Sequence, residues 1–172
     1  MVRQLVPRQI KLPERLSFLL FGARGKGKTT LLKQQLPAHS TIILNLLDQD
    51  LEIELSSNPR SIYERILALN SEIDTVVIDE IQKIPQLLDA VHNLMEGHQV
   101  PQRFILTGSS ARKLRAGSAN LLGGRAAVRN LYPLTHQEIG SEFELLRAMS
   151  YGTLPKIWHA HSDDERKDLL KA

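Results

Sequence analysis

Five short apolar stretches punctuate this chain, and most of the segments between them carry their apolar residues at a different spacing. Leu16–Phe21 is nearly continuous in apolar character, the pattern of a strand buried on both faces. Thr41–Asn45, short and rich in β-branched residues, and Thr75–Ile78, Arg103–Thr107 and Ala126–Leu131 are the other strand candidates. A helix is expected from the glycine-rich turn after Phe21 to about Leu36, where Pro37 stops it. Leu46–Ser57 reads as a short acidic helix. Asn58-Pro59 reads as N-cap and first residue of another, with Ile62, Ile66 and Leu69 at helical spacing. Pro85 opens a further helix with the stripe Leu87, Leu88, Val91, Leu94 and Met95, ending at Gly97. Ala111–Leu122 reads as helix or loop. Thr135–Glu138 is a capping box that predicts a helix through about Met149, and Ser162–Glu165 is a second.

Strands alternating with helices over this length predict a three-layer α/β fold with a mostly parallel five-stranded sheet. Residues 1–15, basic and interrupted by Pro7 and Pro13, form a lead-in; residues 16–150 form the main domain. Residues 151–172 open a further region whose last helix still runs at Ala172, which predicts a longer protein.

In such sheets ligands bind beyond the carboxyl ends of the strands. Three polar clusters fall there. The first is Gly22-Ala23-Arg24-Gly25-Lys26-Gly27-Lys28-Thr29, followed by Thr30, a match to the phosphate-binding loop G-x-x-x-x-G-K-[ST] between a strand and a helix. Its glycines let backbone N–H groups close around an anion, and the helix adds its own unpaired N–H groups. Lys28 would reach the β- and γ-phosphates, and the Thr29 hydroxyl would ligate Mg²⁺.

The second cluster is Asp79-Glu80, at the end of Thr75–Ile78. Asp79 is placed to hold Mg²⁺ beside Thr29, and Glu80 to orient an attacking water. A water-activating Glu next to the metal acid is typical of ATPases with an additional strand between the loop strand and the acid strand. Small P-loop kinases and GTPases usually lack it. No guanine-reading Asn-Lys-x-Asp occurs, which favours ATP over GTP. The third cluster is Thr107, Ser109 and Ser110. Ser109, with Thr107 close behind, is the candidate to contact the γ-phosphate or the attacking water; a plain turn of small residues competes. Arg125, after Gly123-Gly124, can stabilise a transferring phosphoryl group in cis or from a neighbouring subunit, or make a structural ion pair. Arg112, Lys113, Arg115 and Arg129 are lesser candidates.

Charge refines this picture. The chain has 172 residues and a net charge of +3. Residues 1–33 hold eight basic groups and one acid, residues 34–102 three and eleven, and residues 103–129 six and none. Both basic blocks are expected at the nucleotide edge of the sheet, focusing polyphosphate. No nucleic-acid-binding motif accompanies them. Cysteine is absent, which excludes disulfides and thiolate metal sites, and the six histidines form no metal-ligand pattern. The lack of a signal-peptide core or a membrane-length apolar run predicts a cytoplasmic protein.

Several longer segments carry a resemblance. Leu20–Leu32, Val77–Pro85, Leu106–Leu114 and Asn120–Ala126 resemble a family of prokaryotic AAA-type ATPases, described as an AAA domain followed by a DUF4143 domain; Pro133-Leu134-Thr135 and Tyr151–Pro155 are similar to its later signatures. The resemblance implies an AAA+/STAND-like P-loop domain that binds and hydrolyses ATP with Mg²⁺. It carries Lys28, Thr29, Asp79 and Glu80 to the nucleotide site, with Ser109 and Arg125 beside them. It also implies a C-terminal domain beyond this chain and assembly through an AAA-type interface. Lys26 departs from the family, which usually has a smaller uncharged residue there. A nucleotide-binding switch with little turnover, presenting a surface to a protein or DNA partner, is the alternative to an ATPase. A small P-loop kinase is a third reading, against which Glu80 counts.

Overall fold

The three inner strands of the sheet are buried because both of their faces are apolar. In β1 (Phe18–Phe21) Leu19 and Phe21 point to one layer, Phe18 and Leu20 to the other, and all four are shielded from solvent. The computed structural model describes residues 6–110, 114 and 121–171, apart from the side chains of 121 and 123. The strands β2 (Thr41–Asn45), β3 (Thr75–Asp79), β4 (Arg103–Gly108) and β5 (Ala127–Asn130) join β1 in one sheet of order β2-β3-β4-β1-β5, every pairing parallel. The expected five-stranded sheet is present, and β4 is the additional strand between the loop strand β1 and the acid strand β3.

Helices cover both faces. α1 (Lys28–Gln35) buries Leu31 and Leu32 against Phe18, Leu20, Val77 and Ile105, and Ile10 and Leu12 of the lead-in pack on the same side. The opposite layer holds α2 (Gln49–Ser57), α3 (Ser61–Leu67) and α4 (Leu87–Glu96), whose Leu55, Ile62, Ile66, Leu88, Val91 and Leu94 meet Leu19, Phe21, Val76, Ile78, Phe104 and Leu106. At about 1.5–3 kcal/mol for each fully buried large apolar side chain, these layers dominate the driving force for folding. α5 (His136–Ile139), α6 (Leu145–Tyr151), α7 (Pro155–Trp158) and α8 (Asp163–Lys171) follow β5. Among the described residues no helix is long and apolar enough to cross a membrane.

Three local expectations are corrected. α3 begins at Ser61, because Asn58-Pro59 forms a turn in which the Asn58 side chain accepts from Arg60 N–H at 3.3 Å. The Thr135 capping box forms, yet its helix ends at Ile139: Gly140 turns with φ 68°, a short 3₁₀ turn follows, and α6 starts afresh at Leu145. Arg103 does not approach the nucleotide edge. It starts β4 at the opposite end of the sheet, where its guanidinium donates to the Pro13 carbonyl at 2.7 Å, to the Glu14 carbonyl and to Thr75 Oγ1 at 2.9 Å. The segment expected as helix or loop, with Arg112, Lys113 and Arg115, lies outside the described residues except for Leu114 and the 3₁₀ turn Leu121–Gly124.

Candidate functional site

The loop between β1 and α1 has its shape because glycine occupies both left-handed positions, Gly25 at φ 83° and Gly27 at φ 88°. Gly27 then caps α1, so Lys28 and Thr29 open the helix where its N–H groups are unpaired. The Lys28 ammonium is buried, donates to the Gly22 carbonyl at 2.9 Å, and stands 3.7 Å from Glu80 Oε1. The Thr29 hydroxyl donates to Asp79 Oδ2 at 2.7 Å. Asp79 is itself buried, and its Oδ1 accepts from the Thr107 hydroxyl on the neighbouring strand. That same hydroxyl accepts from Glu80 N–H at 3.2 Å. Glu80 leaves β3 in the left-handed region at φ 63°, a strained conformation for a residue with a Cβ, and this bend turns its carboxylate back toward Lys28.

Four of the sequence-predicted residues, Lys28, Thr29, Asp79 and Glu80, therefore meet at one point on the sheet edge. Thr107, second choice to Ser109, supplies the hydroxyl that ties β4 to β3. Ser109 is adjacent, and its backbone N–H donates to Gln82 Oε1 at 3.2 Å. Arg125 is elsewhere: it pairs with Glu96 at 2.5 Å on a half-exposed surface and does not line the cleft. Lys26 turns its charge away from the loop interior, its ammonium 5.5 Å from the centre of the Tyr132 ring.

A cleft of about 340 Å³ opens over the loop. Its lining includes Arg24, Gly25, Gly27, Lys28, Thr29, Thr30 and Glu80 from the loop and the sheet edge, and Val6, Leu134, Pro155, Lys156 and His159 from the flanking segments. The loop residues are suited to a polyphosphate, and Val6, Leu134 and Pro155 offer apolar surface for a flat organic group. Leu134 and Pro155 stood in sequence signatures without an assigned role.

Arg8 is a further residue that sequence reasoning did not single out. It donates to Glu138 Oε1 at 3.0 Å, to the Lys26 carbonyl at 2.9 Å and to the Tyr132 carbonyl at 2.6 Å, joining the lead-in, the crest of the loop and the turn before α5. Burial alone raises the Glu138 carboxyl. The N–H groups of Thr135 and Gln9 and the charge of Arg8 outweigh it and hold the group below its ordinary value.

The donor set at Thr29 and Asp79, one hydroxyl and one carboxylate in contact, suits a hard cation such as Mg²⁺, which takes few protein ligands and completes its shell with phosphate and water. Among the described residues no group of three or more His, Cys, Asp or Glu forms a self-sufficient metal cage.

The family model of an AAA domain, AAA_14, matches residues 14–140. The chain belongs to this AAA domain family. Two curated relatives, the uncharacterized proteins Rv2008c of Mycobacterium tuberculosis and Mb2031c of Mycobacterium bovis, are each 28% identical to it over 147 residues. That match covers 86% of this chain and 32% of either relative, so the chain spans about a third of their length. Domain III of the replication initiation protein DnaA from Thermotoga maritima is similar in structure, with a TM-score of 0.53 at 15% identity over 92% of this chain and 75% of that one. PCH-2 of C. elegans is similar with a TM-score of 0.50 at 19% identity, over 77% of this chain and 44% of that one. These likenesses establish the AAA+ fold, and the AAA domain is a nucleotide-binding P-loop ATPase domain.

Proposed function

We propose that this domain binds ATP with Mg²⁺ and hydrolyses it, coupling turnover to a partner or to a C-terminal domain of the DUF4143 type in the full-length protein. The observation that carries the reading is the meeting of Lys28, Thr29, Asp79 and Glu80 at one sheet edge, with Thr29 2.7 Å from Asp79 and Lys28 3.7 Å from Glu80. Residues 16–150 form the ATPase domain in this reading, with Val6, Pro155, Lys156 and His159 of the flanking segments completing its cleft.

The loop N–H groups and Lys28 hold the β- and γ-phosphates. Thr29 and Asp79 would hold Mg²⁺, which would supply positive charge at the phosphate oxygens. Glu80 orients a water for in-line attack and takes its proton. Ser109, at the exit of β4, contacts the γ-phosphate or the water. The base lies against Val6, Leu134 and Pro155, which line the cleft. Arg125, paired with Glu96 outside its own cleft, serves that ion pair or the nucleotide of a neighbouring copy.

A nucleotide-binding switch with little turnover is the second reading. The displacement of Arg125 favours it, because it leaves this cleft without that guanidinium. Steady-state phosphate release with and without Mg²⁺ separates the two. Turnover in the parent, lost with binding in Lys28→Ala and lost with binding retained in Glu80→Gln, is the result expected of an ATPase. Equal rates in the parent and Glu80→Gln would remove Glu80 from the reaction. Tight binding without turnover in the parent would leave the switch.

A further inference from the structure

Gln82 lies on the 3₁₀ turn Ile81–Lys83 that follows β3, two residues beyond Glu80. Its carboxamide is held at both ends. Oε1 accepts from Ser109 N–H at 3.2 Å, and Nε2 donates to Glu80 Oε2. The two partners fix the orientation of the amide, since a backbone N–H needs an oxygen and a carboxylate needs an N–H. The exit of β4 is shaped for this group: a Cβ on Gly108 would stand 3.1 Å from Gln82 Oε1.

Resting on Glu80 as the water-orienting carboxylate, we propose that Gln82 is the positioning residue that aims Glu80 and links its aim to the exit of β4. The two oxygens of Glu80 have different partners. Oε1 faces Lys28 at 3.7 Å, and Oε2 is bonded to Gln82. A polyphosphate in the loop competes for the Lys28 ammonium with more negative charge than one carboxylate carries. Oε1 is then released toward a water, while Oε2 stays anchored by the amide. The Glu80 backbone is already fixed by its N–H bond to Thr107, so the remaining freedom is in the side chain, and Gln82 restricts it. A neutral donor suits this task. A cation at position 82 would lower the basicity of Glu80, and a carboxylate would repel it. The backbone link to Ser109 means that movement at the exit of β4 moves the carboxylate.

Two measurements test the link. In nucleotide-free protein, NMR of Gln82→Met should show the Ser109 amide proton exchanging about tenfold faster or more. Glu80→Ala should displace the Gln82 side-chain NH₂ resonances. Unmoved signals in both variants would overturn the link whether or not the protein hydrolyses ATP. In turnover assays, Gln82→Met should lower kcat about tenfold to a hundredfold, with affinity for a non-hydrolysable ATP analogue within about twofold of the parent. An unchanged kcat, or a parallel loss of analogue affinity, would overturn the proposal. A parent chain without turnover would count against the ATPase reading instead, and the amide signals would then decide the link alone.

Discussion

Thr29 Oγ1 lies 2.7 Å from Asp79 Oδ2, so the start of α1 and the end of β3, fifty residues apart, are joined by one hydroxyl–carboxylate bond. Asp79 also receives the Thr107 hydroxyl, so this one carboxylate on β3 accepts from both α1 and β4. Asp79→Ala should therefore do two separable things. It should leave two hydroxyls without their acceptor, costing about 1–3 kcal/mol of stability. It should also remove the Mg²⁺-dependent increment of ATP affinity, about tenfold to a hundredfold, while leaving metal-free binding near the parent value. Calorimetric titration with ATP, with and without Mg²⁺, checks the second effect; thermal unfolding checks the first. Equal Mg²⁺ dependence in parent and variant would take Asp79 out of the metal site.

Glu80 occupies the left-handed region at φ 63°, where a side chain costs about 1–2 kcal/mol relative to glycine. Comparing Glu80→Gly with Glu80→Ala isolates that strain, because both remove the carboxylate and only one keeps a Cβ. Glu80→Gly should be the more stable by about 1 kcal/mol, a difference of about 2–4 °C in Tm for a chain of this size. Differential scanning calorimetry of the two variants measures it. Equal stabilities would mean that the backbone relaxes when the Lys28 and Gln82 contacts are lost.

What could be read from the sequence follows from the range of the interactions. Leu16–Phe21 and Thr75–Ile78 read as buried strands because both faces are apolar, and that pattern needs no knowledge of partners. The loop and Asp79-Glu80 read equally well, since strand ends in a parallel sheet share one edge. The expected helix from Thr135 to Met149 overran because Gly140, one glycine within a helical pattern, takes a φ of 68° that ends the helix. Arg103 was expected near the nucleotide from charge alone, although the first residue of a parallel strand stands at the opposite edge. Thr107 rather than Ser109 reaches Asp79 because it is the inward residue of β4, fully buried between its neighbours. Arg8 had no local signal at all: its partner Glu138 is 130 residues away.

Gly22 and Gly108, both beside the loop and the sheet edge, are held by close approach and should differ in tolerance. A Cβ on Gly22 would stand 2.7 Å from the Leu131 carbonyl, a backbone atom that moves only if β5 or the loop moves. A Cβ on Gly108 would stand 3.1 Å from the Gln82 amide, a side chain that can shift. Gly22→Ala should thus cost stability and distort the loop, lowering nucleotide affinity about tenfold or more. Gly108→Ala should retain affinity and fold while disturbing the amide at Ser109. Fluorescent-nucleotide titration of both variants, with chemical denaturation alongside, distinguishes them. A Gly22→Ala protein with parental affinity and stability would show that β5 yields freely at Leu131.

The Arg8–Glu138 pair makes the nucleotide loop sensitive to acid. Glu138 lies below its ordinary value of 4.5 in the folded protein, where the N–H groups of Thr135 and Gln9 and the Arg8 guanidinium favour its charged form. A carboxyl lowered by folding adds stability that is complete above the unfolded value and disappears as pH falls through the folded one. Glu138→Gln removes the charge at every pH. The stability gap between parent and variant should be about 1–3 kcal/mol and flat at neutral pH, then narrow below about pH 4.5 as the parent protonates. Because Arg8 also donates to the Lys26 carbonyl at 2.9 Å, the variant should bind nucleotide more weakly at neutral pH. Urea titrations of both proteins between pH 7 and the acid limb give the gap directly. A gap that widens on acidification would reverse the sign of the linkage and place the stabilising charge elsewhere.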